Sequence, residues 1–194
     1  MFKGKVLYKS IFVLSLLSFL TLSGAGAVPS GSAVPTAGTP VFVTTAGQSA
    51  DAHAVKLLLD RGKVKSGYDP VAEADKISGT KTLLLVMGGS SKGLGAAGMD
   101  EDEEISRITR LLEKAKKEKL YIVGVHIGGE SRRGPLSAKF INLVAPQCNY
   151  IIVKKDGNKD SYFTKLGEKM KIPVTVIDET LDLSAIFKTM FANN

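Results

Sequence analysis

The chain has 194 residues, 44% hydrophobic and 23% charged, an ordinary globular composition whose length suits one domain. Its formal charge is +7. However, Lys3, Lys5 and Lys9 stand in a stretch free of acids, and the remaining excess is scattered through Glu/Lys mixtures with no aromatic-basic stripe, which argues against a nucleic-acid partner. A single cysteine, Cys148, excludes an intramolecular disulfide, so the core alone must stabilise the fold.

Residues 1–27 read as a secretory signal peptide. Three lysines form its positive start, Ile11–Leu22 its apolar centre, and Ala25-Gly26-Ala27 its small-x-small cleavage pattern. The apolar centre falls short of the ~20 residues needed to span a bilayer. The expected location is therefore secreted or extracytoplasmic, in the cell envelope, with membrane contact only through this segment if it stays uncleaved. Residues 28–39, rich in Pro, Gly and Ser, read as a flexible linker. Residues 40–194 read as a single α/β domain.

In chain order, Pro40–Thr45 is a short β-branched strand. The loop Gly47-Gln48-Ser49-Ala50-Asp51 follows, then a helix over His53–Arg61 with Val55, Leu58 and Leu59 on one face. Gly62 stops it. Val64–Tyr68 is a weaker edge strand, and Asp69-Pro70 opens a short helix through Ile77. Leu83–Met87 is a buried strand that ends in the glycine-rich loop Gly88–Gly98. The next helix starts at Asp100, where Asp100 and Glu103 make a capping-box pattern. The acids of Asp100–Glu104 suit its positive end, and Lys114, Lys116, Lys117 and Lys119 suit its negative end. Strands over Tyr121–Ile127, Tyr150–Val153 and Pro173–Ile177 then alternate with helices over Leu136–Val144, Ser161–Lys171 and Thr180–Phe191.

Short apolar strands alternating with amphipathic helices specify a mostly parallel sheet covered on both faces. The expected fold is an α/β three-layer sandwich with five or six strands, Rossmann-like, in a flavodoxin-like order with Val64–Tyr68 outside the first strand. That order places a switch point between the strands Val41–Thr45 and Leu83–Met87, with the loops after them facing each other across a crevice.

The glycine-rich loop contains Gly88-Gly89-Ser90-Ser91-Lys92-Gly93-Leu94-Gly95 and looks like the cofactor loop of short-chain dehydrogenases. Glycines permit close backbone approach, and N–H groups at a helix start favour a phosphate. Against that reading, helical sequence starts only at Asp100, and its acids repel an anion. The next strand ends in His126-Ile127 rather than an acid that would hold a ribose. The Tyr-x-x-x-Lys spacing of Tyr150 and Lys154 falls on a strand, where it spans roughly 13 Å. A P-loop fails because Leu94 stands where Lys is required. No cofactor is therefore expected.

A second loop, His126-Ile127-Gly128-Gly129-Glu130-Ser131-Arg132-Arg133, combines an imidazole, a carboxylate and two guanidiniums at a strand end. Arg132 and Arg133 suit a bidentate clamp on a carboxylate or phosphate, and His126 and Glu130 suit proton exchange. The bland alternative is a surface loop whose arginines pair with acids such as Asp102 or Glu103. His53 reads as a surface or half-buried side chain, and two histidines without ligand spacing predict no metal site. No G-x-S-x-G elbow surrounds Ser90 and Ser91. Asp156–Asp160 lacks the glutamate that completes a calcium loop.

Taken together, Gly47–Asp51, Gly88–Gly98, His126–Gly134 and Gly157–Asp160 resemble a family of secreted bacterial proteins, domain-of-unknown-function family 6305. The resemblance covers most of residues 40–191 and implies an exported domain with no assigned activity, so it supplies no catalytic residues. The expected function is binding of a small polar or anionic ligand at the carboxyl edge of the sheet. Its candidate residues are Gln48, Ser49, Gly88, Gly89, Ser90, Ser91, Lys92, Gly93, His126, Gly128, Gly129, Glu130, Arg132 and Arg133. The glycine N–H groups and Lys92 are expected to hold the anionic part, and the Arg pair to orient it. Two other classes stand beside this: a hydrolase or transferase using His126 and Glu130, and an interaction module whose partner is an envelope or transport protein.

Overall fold

The computed structural model describes residue 1 and residues 30–192; apart from Met1, the signal-peptide reading lies outside them. Among these residues seven strands form one sheet: β1 (Ser30–Gly31), β2 (Val41–Ala46), β3 (Ser66–Tyr68), β4 (Thr82–Met87), β5 (Tyr121–His126), β6 (Tyr150–Lys154) and β7 (Val174–Ile177). Their order is β1-β7-β6-β5-β4-β2-β3, with β2 to β7 parallel and only β1 antiparallel. From β3 to β7 this is the flavodoxin-like order extended by one strand, and the progression of strands across the sheet changes sides between β2 and β4. Ala46 and Met87 are register partners, so the loops after both strands leave the sheet at the same height.

Among the described residues six α-helices accompany the sheet: α1 (Asp51–Arg61), α2 (Ser91–Ala97), α3 (Glu101–Lys117), α4 (Pro135–Val144), α5 (Tyr162–Met170) and α6 (Leu183–Met190). All six residues of β4 are buried because its alternate side chains feed two cores. Leu83, Leu85 and Met87 pack with α3, α4 and α5 on one face. Leu84 and Val86 pack with α1 and α6 on the other. A continuous apolar run is what a parallel strand covered on both faces requires. Among the described residues no helix is long and apolar enough to cross a membrane.

Three local expectations are corrected. Residues 30–39 are not a free linker, because β1 pairs antiparallel with β7 and the Ala37 N–H donates to Met190 O at 2.9 Å. Val34 and Ala37 pack on the α1/α6 core, which offsets the entropy of ordering this Pro/Gly-rich segment. The stretch opened by Asp69-Pro70 forms only a 3-10 turn at Ala74–Ile77. The glycine-rich loop contains a helix, α2. The Ser90 hydroxyl caps it by accepting from the Gly93 N–H at 3.0 Å, and Gly98 ends it in the left-handed region. Helix α3 begins as expected, with both hydrogen bonds of the Asp100/Glu103 capping box present.

Candidate functional site

The two loops at the switch point touch each other rather than face across a gap. Gln48 and Gly89 form an isolated antiparallel bridge, and the Ser90 N–H donates to Gly47 O at 2.8 Å. Gly47 has φ +105°, and a side chain there would meet the Phe140 ring and the Gly88 carbonyl, so the turn admits only glycine. Gln48 also takes a left-handed backbone, φ 59°. Two acceptors hold it there, because its Nε2 donates to Glu104 Oε2 at 3.1 Å and to Pro70 O at 3.0 Å.

Glu104 belongs to a network that charge patterning does not suggest. It is fully buried and paired to buried Arg107, with Nε to Oε2 at 2.7 Å. Arg107 also donates to Thr45 O and Ala72 O, each at 2.8 Å, and the Gly47 N–H donates to Glu104 Oε1 at 2.8 Å. The acidic start of α3 is therefore not wholly solvated. One carboxylate turns inward and pins the β2 loop.

The crevice lies on the outer side of this seam, toward β3, with a volume of about 510 Å³. Its polar wall contains Gln48, Ser49, Ser90, Lys92 and Arg132. Lys92 and Arg132 form no ion pair among the described residues; the Arg132 guanidinium donates to Gly89 O at 2.9 Å. Ser49 donates to Asp51 Oδ2 at 2.6 Å, which places a carboxylate just behind the wall. Apart from Thr45 and Gly93, the remaining wall is mostly apolar: Ala50, Tyr68, Pro70, Val71, Ala96 and Ala97. Burial, reinforced by Asp69, pushes the Tyr68 phenol up and keeps it neutral.

Of the expected site residues, Gln48, Ser49, Ser90, Lys92, Gly93 and Arg132 line this crevice. The glycines do not offer their N–H groups to it. Gly88 N donates to Ala46 O, Gly89 N to Ser137 Oγ, and Gly93 N to Ser90 Oγ. These glycines serve close packing instead. The two arginines also part company. Arg133 pairs with Asp160 Oδ2 at 2.8 Å, donates to Gly157 O, and lies over the Phe163 ring at 5.2 Å. Its acid is Asp160, not Asp102 or Glu103. Glu130 is exposed and bound to Lys159 Nζ at 2.6 Å, which holds its carboxyl below the usual range. The candidate list lacks Thr45, Ala50, Tyr68, Pro70, Val71, Ala96 and Ala97. The last two follow Lys92 and Gly93 by four residues, a signal readable only once α2 is known to be a helix.

His126 is the largest correction. It closes β5 with no exposed surface, its Nδ1 2.9 Å from Met87 O and its ring stacked 5.4 Å from Phe163. A carbonyl only accepts, so the neutral ring carries its proton on Nδ1. His126 and Glu130 thus serve different partners, and the proton-exchange pair is not assembled. Burial pushes the His126 pKa down, with Arg133 adding to that, while Met87 O and Asp51 oppose it. A depressed folded pKa favours the folded state above about pH 6.5 and loses that advantage as pH falls below it, where the unfolded chain takes up the proton first. The stability difference between wild type and His126→Gln should therefore fall below pH 6.5, by at most about 1.4 kcal/mol per pH unit. Urea titrations at a series of pH values check this, and parallel curves for the two proteins refute it. The other reactive side chain, Cys148, is buried, and burial pushes its thiol up to about 12, which makes it inert.

Among the described residues no group of three His, Cys, Asp or Glu side chains stands together as a metal site. A family model described as a domain of unknown function, DUF6305, matches residues 38–191. No curated protein matches the sequence. Among solved structures, a psychrotrophic esterase, EstA, from Pseudoalteromonas sp., inhibited by monoethylphosphonate, is similar at 13% identity over 72% of this chain and 78% of its own, with a TM-score of 0.33. At that score the likeness carries no argument about the site.

Proposed function

The chain belongs to the DUF6305 family, a membership that assigns no chemistry, and we propose from its own site that it binds a small anion in the crevice beside the β2 and β4 loops. One observation carries this reading. Two cations, Lys92 and Arg132, line without a paired carboxylate a cavity beside the topological switch point, the region where open α/β sheets bind their ligands. Unpaired positive charges beside hydroxyl and amide groups favour a charge-assisted contact with a carboxylate or phosphate. The signal-like segment before residue 28 supports placing this binding outside the cytoplasm.

A thermal-shift titration of the purified chain with inorganic phosphate and short carboxylates tests the reading. At about 100 times Kd a bound anion stabilises by about 2.7 kcal/mol, a rise of roughly 5–10 °C for a chain of this size. The rise should vanish in the Lys92→Ala/Arg132→Ala double variant. An unchanged rise in that variant, or no rise with any anion, overturns the proposal.

A further inference from the structure

The crevice is larger than a free anion needs, and its chemistry changes from one end to the other. Strand order defines the gradient. Tyr68 ends β3 at the sheet edge, and Pro70 and Val71 follow it. Ser90 and Lys92 follow β4, two strands inward, and Arg132 reaches Gly89 from beyond β5. Neighbouring strands lie about 4.8 Å apart, so roughly 10 Å separates the apolar end from the basic end. Helix α2 repeats the gradient along its own length: Lys92 stands in its first turn and Ala96 and Ala97 one turn later, all on the crevice wall. Val71 is 39% exposed, an apolar side chain at the rim with room for an apolar neighbour.

Charge sets the other limit. Lys92 and Arg132 contribute two positive charges. Asp51 lies behind the wall, hydrogen-bonded to Ser49, and its Oδ2 and the Arg132 stem both crowd the open side of Gly128. At this end the three groups leave one net positive charge, while Asp69, whose Oδ1 accepts from the Val71 N–H, lies at the other end, so a ligand's negative charge is drawn to Lys92 and Arg132.

We infer that the ligand is an amphipathic monoanion, a carboxylate carrying an aryl or branched alkyl body, with its charge at Lys92 and Arg132 and its body along Ala96, Ala97, Val71 and Tyr68. This rests on the anion-binding reading above and adds the body to it. Burying that body against the outer wall removes apolar surface from water and so adds affinity. A bare anion gains none of this.

Calorimetric titrations with acetate, inorganic phosphate, 3-phenylpropanoate and 3-phenylpropanamide test it on wild type and on the uncharged Val71→Asn, whose side chain is at the rim and outside both cores. 3-Phenylpropanoate should bind at least tenfold more tightly than acetate or phosphate and at least tenfold more tightly than the neutral amide. Val71→Asn should weaken 3-phenylpropanoate at least fivefold more than it weakens acetate. Equal affinity for acetate and 3-phenylpropanoate overturns the amphipathic ligand and leaves the anion site standing. Equal affinity for acid and amide, or no binding by any anion, overturns both.

Discussion

Arg107→Ala should unfold this protein about 3–5 kcal/mol more easily than wild type, the usual cost of breaking a buried ion pair by removing one partner. Domains of this kind are stable by only about 5–15 kcal/mol, so the loss takes a large share of the total. The reason lies in what remains behind. Arg107 is 1% exposed and its guanidinium serves Glu104, Thr45 O and Ala72 O at once. Without it, the fully buried Glu104 carboxylate keeps only the Gly47 N–H and the Gln48 amide as donors. Glu104→Ala should cost a similar amount by stranding the guanidinium. The double variant should cost clearly less than the two losses added, because neither buried charge is then left alone. Urea unfolding with an unchanged m-value measures all three. A loss below about 1 kcal/mol for Arg107→Ala, or strict additivity in the double variant, refutes the account. Glu104 also anchors Gln48 in its left-handed backbone, so anion affinity should fall in Glu104→Ala along with stability.

That ion pair marks where reading the sequence stopped short. The parallel strands were legible because their apolar runs, such as Thr82–Met87 and Tyr150–Val153, carry the pattern that burial on both faces imposes. The order of the strands followed, since the weak strand Val64–Tyr68 placed at the edge outside the first strand, together with right-handed crossovers, leaves few alternatives. Glu104 reads as one of the acids that suit the positive end of α3, and Arg107 carries no reading of its own. Yet Glu104 is four residues before Ile108, and Arg107 is four before Leu111, so both fall on the apolar face of α3. The helical period carries that signal, whereas a count of charges hides it. His126 was misplaced for a similar reason. It ends a strand whose last five residues are all buried, and strand burial outweighed the polar loop that follows. Helix α2 was hidden because its sequence, SKGLGAA, holds two glycines that each cost a helix about 1 kcal/mol. Tertiary contact with the β2 loop and the Ser90 cap override that propensity. The crevice was located by topology, but its outer wall came from residues with no chemical signature of their own, Ala96, Ala97 and Val71.

Those two glycines separate packing from phosphate binding, because they should respond to alanine with opposite signs. A methyl group on Gly93 would overlap the Gln48 carbonyl oxygen and lie 3.0 Å from its carbon. Backbone cannot yield as a flexible side chain does, so the seam between the two loops must open. Gly93→Ala should therefore cost about 2–3 kcal/mol, within the range of overpacked interiors, or a fall of roughly 4–12 °C in Tm. Gly95 has nothing within 4 Å of the same position, and Gly95→Ala should stabilise by about 0.5–1 kcal/mol through backbone entropy. If the loop is glycine-rich because a phosphate approaches its backbone, the alanine at either position should leave the unliganded protein nearly untouched and weaken anion binding instead. If it is glycine-rich because Gly93 rests on the Gln48 peptide, the penalty belongs to the unliganded fold and to Gly93 alone. Scanning calorimetry of both variants without added anion distinguishes the two, and equal Tm values for Gly93→Ala and wild type would remove the packing explanation.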